Sequence, residues 1–261
     1  MSDGARGGIG FVVAVVAVFG AIFAGVLFGG GILSSFGGGP DARAEAGLGG
    51  VDKGAANEAA VYVALQRHFP EAYAEVERAA TDAIKARKPV AETDAWTMDF
   101  MERFSRANAK YVAKASRDAL VALLMAERDY IVALQLHDEK LCAQFGMTGG
   151  VPETAKLNSA LDSLGSIWVV AAIEAAAAGR DRPVEWGRPT TMDATALVKA
   201  LDRQGVDGLR ILNGGPGALA RAPAGEQCRI STAIFRAMGE LAPDSAARIR
   251  AEQVRDAIRG G

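Results

Sequence analysis

The largest block of hydrophobic residues in the chain runs from Gly8 to Leu33 and contains no charged residue. As a helix, these 26 residues rise about 39 Å, which is more than the about 30 Å of a bilayer core. A cleaved secretion signal has a shorter apolar region behind a basic start, whereas the opening MSDGARGG balances Arg6 against Asp3. The pattern therefore predicts a permanent transmembrane helix over residues 8–33.

The residues that flank this run indicate whether it is cleaved and how it is oriented in the membrane. The triplet ARA at residues 42–44 fits a small-x-small cleavage site, so a removed leader is the alternative to an anchor. Basic residues next to a span favour the cytoplasm, and Arg6 precedes the run. We expect residues 1–7 to form a short cytoplasmic tail and the body to lie on the other side. The Gly-rich residues 34–56 are expected to be a flexible linker.

Small residues recur at every fourth position within the predicted span, where they share one helix face: Ala17, Ala21, Gly25 and Gly29. Such spacing lets the backbones of two transmembrane helices approach closely. It predicts self-association, or docking onto another membrane helix, through this face. The alternative interpretation is that membrane helices are rich in Gly and Ala for reasons of composition.

The body shows helical spacing of its apolar residues from Asn57 onward, and no segment alternates long enough to predict a strand. The predicted fold class is all-α: a single N-terminal transmembrane helix followed by a soluble domain of about seven helices over residues 57–261. The predicted segments are 57–68, 70–87, one capped by Thr93-Asp94, a strong stripe from Leu120 to Phe145, 151–178, 193–204, 225–241 and 243–258.

The segment SIWVVAAIEAAAA, residues 166–178, is apolar almost all round. Its 13 residues are too few for a second membrane span, so it is interpreted as the buried central helix of the body. It contains Glu174, and a buried carboxylate needs a partner. An arginine such as Arg180 or Arg182 is the expected one.

The chain has two cysteines, Cys142 and Cys228, at the ends of different predicted helices. A pair is what one structural disulfide requires in an oxidising compartment. The alternative is two unrelated buried thiols, because cysteine also packs as a small hydrophobic residue. We expect a disulfide that joins the long helix ending near Phe145 to the helix beginning near Gly225.

Composition narrows the class of protein. The chain has 261 residues, with 29 basic and 31 acidic residues and a formal charge of −2. This near-neutral balance gives no electrostatic reason to expect a nucleic-acid partner. Richness in Ala, Gly and Arg is typical of bacterial genes of high GC content. Together with the predicted span, it suggests the bacterial inner membrane, with the body in the periplasm.

No pattern of catalytic, cofactor or metal-binding residues emerges from the sequence. His137-Asp138-Glu139 is the most reactive-looking cluster, but adjacent residues on a helix diverge, and a solvated helix end explains it. The glycine-rich NGGPG at residues 213–217 lacks the lysine of a phosphate-binding loop and is interpreted as a turn. We therefore predict no catalytic residues, no cofactor and no metal ligands.

Two classes of function fit these observations. The first is a membrane-anchored binding or scaffold protein of the bacterial cell envelope, with an envelope protein as its partner. The second is an envelope enzyme, such as a hydrolase acting on cell-wall material, for which a pair of carboxylates in a cleft would be the minimum. The sequence contains many acidic residues, but it does not show which two of them would lie together in a cleft. An enzyme is therefore the less favoured class.

Overall fold

The computed structural model describes residues 53–88, 90–152, 155–211 and 219–260. The predicted transmembrane segment, its face of Ala17, Ala21, Gly25 and Gly29, most of the predicted linker and the NGGPG turn lie outside these residues. Nine helices of at least ten residues occur in the described part, and no strand does. They are α1 (Lys53–His68), α2 (Pro70–Ala86), α3 (Val90–Val112), α4 (Arg117–His137), α5 (Glu139–Thr148), α6 (Ser159–Asp181), α7 (Thr191–Arg203), α8 (Ala224–Gly239) and α9 (Pro243–Gly260).

The all-α class of the body is confirmed, but the number of helices exceeds the expected seven. One reason is that the predicted stripe from Leu120 to Phe145 is two helices. The backbone of Asp138 is extended, at φ −155° and ψ 115°, so α4 ends at His137 and α5 begins at Glu139. The apolar spacing continues across this break because both helices face the same core.

Two other predicted helix starts are wrong. α3 begins at Val90, so Thr93 and Asp94 lie within its first turns rather than at its cap. Residues 155–158 are not helical, and α6 begins at Ser159 instead of residue 151. The side chain of Asn158 accepts a hydrogen bond from the Leu161 amide and thereby caps α6.

The core is arranged around α6, which packs against α1, α3 and α4. α8 lies on α4 and α5, and α9 lies on α3 and α4. Glycine permits one of these crossings, because a Cβ atom on Gly179 would lie 1.8 Å from the carbonyl oxygen of Tyr111. The backbones of α6 and α3 therefore touch at a point where no other residue fits.

Among the described residues, one helix, α6, is long and apolar enough to cross a membrane by length and composition. Half of its most apolar window is buried within the body, as in the core helix of a soluble protein. Trp168, Ile173 and the run Ala175–Ala177 are buried. The interpretation of residues 166–178 as part of a buried central helix is therefore confirmed, although that helix begins later and is shorter than the predicted segment 151–178.

The helices α2 and α3 form a hairpin of which α2 is largely exposed. In α2 the only buried residue is Val76. Aromatic rings hold the hairpin together: Phe69 meets Phe104 edge to face, with ring centroids 5.0 Å apart, and Phe104 stacks on Phe100. The guanidinium of Arg180 lies 4.6 Å from the centre of the Phe69 ring and joins the hairpin to α6.

Candidate functional site

The two cysteines lie at disulfide distance, as the sequence predicts. Cys142 of α5 and Cys228 of α8 have their Cα atoms 5.2 Å apart, within the usual range for a bridge, and are separated by 86 positions in the chain. Both side chains are buried. The pair lies between α5, which follows α4, and the beginning of α8.

The helices on either side of this bridge are closely packed. A Cβ atom on Gly146 would lie 2.3 Å from the hydroxyl oxygen of Ser231, and one on Gly225 would lie 2.2 Å from a carboxylate oxygen of Glu139. Small residues thus let α5 and α8 approach on both sides of the cysteines. Because this packing already brings the two Cα atoms together, the bridge covalently fixes a contact that the helices make themselves.

A buried ion pair lies in the core between α4 and α9. Glu127 and Arg250 are 0% and 1% exposed, and the guanidinium Nη2 of Arg250 donates a short hydrogen bond to Oε1 of Glu127. The indole of Trp168 donates to the same oxygen over 3.3 Å. Arg250 also donates to Gln253. Three helices therefore contribute polar groups to one enclosed cluster.

This cluster is only partly satisfied. Neither Oε2 of Glu127 nor the hydroxyl of Tyr130 has a hydrogen-bond partner among the described residues. Burial raises the pKa of Glu127 to about 7, against the opposing effect of the Arg250 charge and the bonds from Trp168 and Arg250. Burial also lowers the pKa of Arg250 to about 10. The rings of Tyr130, Phe145 and Trp168 pack together, and Trp168 joins them to Glu127. The buried cluster is therefore suited to fixing the packing of helices.

A second carboxylate organises the start of α7. Thr190 and Asp193 form a reciprocal capping box, and both carboxylate oxygens of Asp193 accept hydrogen bonds from Arg248 of α9, at 2.8 and 3.0 Å. Burial alone would raise the pKa of Asp193, but the bonds from Arg248, Ser245 and Thr190 outweigh it and hold the pKa well below its usual value. Asp193 is thus a charged link between α7 and α9.

Glu174 does not pair with Arg180 or Arg182 as expected. Its carboxylate lies 3.0 Å from Nε2 of His68 and 3.8 Å from Arg67, and its side chain is 43% exposed. The reason is that α1 packs along α6 and ends beside Glu174. Arg180 instead donates to the carbonyl oxygen of His68 over 2.7 Å. The acid that the sequence suggested was buried therefore lies at the edge of the core, where α1 turns into α2.

The His137-Asp138-Glu139 cluster is a turn between two helices. The Asp138 carboxylate accepts hydrogen bonds from the amides of Lys140 and Leu141, which caps α5 and lowers the pKa of Asp138. His137 contacts the carbonyl oxygen of Lys156 over 3.1 Å. These side chains serve the helix ends, as the helix-end interpretation expects.

Within the described residues, no group of three or more His, Cys, Asp or Glu side chains is arranged to hold a metal ion. Glu127 and Arg250 form a buried ion pair that the sequence patterns do not predict. Comparison of the chain with protein families, with curated proteins and with solved structures finds no match. The function is therefore inferred from the chemistry of the chain alone.

Proposed function

We propose that the chain is a membrane-anchored helical scaffold or binding protein of the bacterial cell envelope, with its body in the periplasm. The observation that carries this proposal is the Cys142–Cys228 pair at disulfide distance. Disulfides persist in oxidising compartments and are rare in the cytosol. The body has one pair of cysteines at disulfide distance, and it follows an uncharged run of 26 residues in the sequence. Both features are expected of a protein that is anchored in a membrane and faces the periplasm.

The arrangement of polar groups supports a binding role over an enzymatic one. Glu127 and Arg250 are enclosed by the core, and the Asp193 carboxylate is occupied by capping and by Arg248. A scaffold needs a rigid body on a tether, and the buried ion pair and the bridge both contribute rigidity. The proposed partners are the membrane and an envelope protein.

The redox state of the cysteines in the native cell tests the compartment. Protein from its own cell is denatured without reductant in the presence of a thiol-alkylating reagent, and the mass of the labelled chain is measured. We expect neither Cys142 nor Cys228 to be labelled before reduction and both to be labelled after it. Labelling of both thiols in the unreduced sample would contradict a periplasmic body.

The anchor has its own test. After extraction of membranes with carbonate, the full-length chain is expected to remain in the pellet. A released form that begins near Glu45 would mean that the leader is cleaved instead.

We also propose that the face of Ala17, Ala21, Gly25 and Gly29 mediates association within the membrane. Gly25→Leu is expected to lower the signal of a genetic reporter of transmembrane association. Gly31→Leu, which adds the same side chain away from this face of the predicted helix, serves as the matched control. Equal signals from the two variants would remove this face as an association surface.

A further inference from the structure

The turn between α2 and α3 carries a concentrated positive charge. Residues 85–88 contain three basic residues, Lys85, Arg87 and Lys88, and no other run of four residues in the sequence contains as many. All three side chains are exposed. None of them forms an ion pair with a carboxylate among the described side chains. We call residues 84–88 the basic tip.

The basic tip projects away from the core. Val76 is the buried residue of α2, and Arg87 lies eleven positions further along, which is about 16 Å of helix. Residues 80–82 and 84–88 are exposed throughout. Ile84, beside the charges, is 66% exposed, so an apolar side chain and three cations share the end of the hairpin.

The end of α2 has a backbone conformation that is unusual for the arginine found there. The amide of Arg87 donates to the carbonyl oxygen of Ile84 over 3.1 Å, and the amide of Lys88 donates to that of Ala83 over 3.0 Å. This closing pattern places Arg87 in the left-handed region, at φ 50° and ψ 44°, where glycine is the favoured residue. It is the one non-glycine residue with positive φ in the described part of the chain. The tip thus carries an arginine where helix termination would favour glycine.

Several basic residues elsewhere on the hairpin and in the core pair with acids. Arg103 pairs with Glu75 and Asp99, and Arg259 pairs with Asp256. At the tip, the nearest described carboxylates along the chain, Asp82 and Glu92, are exposed and pair with none of the three cations. The charge of the tip is therefore available to an anionic partner.

We propose that the basic tip contacts the anionic headgroups of the membrane in which the chain is anchored. Exposed lysine and arginine next to an apolar side chain is the pattern of a surface that lies at a lipid interface. Three cations hold a free protein at a membrane only weakly, but a tethered body has a high effective concentration there. The 20 residues from Leu33 to Lys53 span up to about 70 Å, which is enough to let the tip reach the surface. This proposal rests on the anchor of the proposed function.

The test uses the full chain in vesicles. A fluorophore is attached to the thiol of the variant Ala86→Cys. The two native cysteines are buried and paired, so they do not react with the label. Lipids with brominated chains act as quenchers. The vesicles contain phosphatidylcholine alone or with phosphatidylglycerol. We expect strong quenching only with phosphatidylglycerol, and weaker quenching as salt screens the charges.

Variants of the basic residues test whether the tip itself, rather than the overall charge of the body, contacts the lipid. Each basic residue removed from the tip is expected to reduce the ratio of docked to free tip about five-fold, so Lys85→Glu/Arg87→Glu/Lys88→Glu abolishes quenching. Arg78→Glu, an exposed arginine on the same helix away from the tip, is the matched control and is expected to retain it. Equal quenching in both lipid compositions, or equal loss in the control, would overturn the proposal.

Co-flotation of the same samples with vesicles distinguishes the two proposals. Protein that floats without quenching at the tip contradicts the lipid contact and leaves the anchor intact, whereas protein that does not float contradicts the anchor. A photo-crosslinker at Ile84 adds a further readout in native membranes. Crosslinking to lipid supports the proposal, and crosslinking only to a protein would overturn it in favour of a protein partner.

Discussion

Glu127 and Arg250 form an ion pair whose side chains are 0% and 1% exposed, whereas Glu75 and Arg103 form one whose side chains are 41% and 51% exposed. The first pair lies in the core between α4 and α9, and the second joins the two helices of the α2–α3 hairpin. The same pair of residue types therefore contributes differently to stability in the two places. In the core, each charge depends on the other because water cannot reach either; on the hairpin, water replaces a lost partner.

The contrast extends from the pairs to the regions around them. The core region has a covalent bridge, close helix crossings at glycine and a shared polar cluster. The hairpin relies on stacked rings and surface pairs. We therefore expect the core to unfold as one unit and the hairpin to tolerate change, which is the property required of a surface that contacts a partner.

The largest effect is expected from breaking the buried pair. Glu127→Leu leaves the Arg250 charge enclosed without its carboxylate and should reduce the free energy of unfolding by about 3–5 kcal/mol. Adding Arg250→Met removes the stranded charge, so the double variant should recover most of the loss. Urea denaturation of the three proteins measures this. A double variant no more stable than the single one would show that the pair is not the source of the effect.

A smaller loss is expected where the core meets the hairpin. Gly179→Ala places a methyl group against the Tyr111 carbonyl and forces α6 away from α3, which should cost about 1–3 kcal/mol in the free energy of unfolding. Gly187→Ala is the matched control, because a Cβ atom there meets nothing within 4 Å. The comparison of the two midpoints in urea tests the crossing. Equal midpoints would mean that the helices separate without cost.

The Asp193 link should show a pH dependence that the buried pair does not share. Asp193→Ala removes one half of the capping box and the partner of Arg248, and it is expected to cost about 1–2 kcal/mol at pH 7. Because the folded-state pKa of Asp193 lies below its usual value, the stabilisation is complete above about pH 4 and is lost as the pH falls through the folded-state pKa. The stability difference between wild type and variant should shrink as the pH falls from 5 to 2. A constant difference over this range would contradict the linkage.

The smallest effect is expected on the hairpin itself. Glu75→Gln removes one of the acids that Arg103 contacts, but Asp99 remains and water solvates the guanidinium. The melting temperature should therefore change by less than about 3 °C. Thermal denaturation followed by circular dichroism provides the measurement. A shift comparable to that of Glu127→Leu would erase the distinction between the two regions.

Local sequence determined much of what the structure displays. Apolar spacing predicted the all-α body and the central helix, and Pro70 predicted the start of α2. Two cysteines predicted one bridge between the helices that carry them. These features were accessible because helix periodicity and turn chemistry act over a few residues. The predicted span and its small-residue face stay predictions, since they lie outside the described residues.

Only the tertiary structure decided which charges are buried. Glu127 lies three positions after Leu124 and four before Ile131, so it occupies a position of the apolar stripe of α4. That spacing was a usable signal, but it gave no indication of Arg250, which lies 123 positions away. Glu174, in the more apolar sequence, proved to be at the edge of the core instead. Burial depends on which helices pack over a residue, and that is fixed by contacts between segments far apart in the chain, which local patterns do not encode.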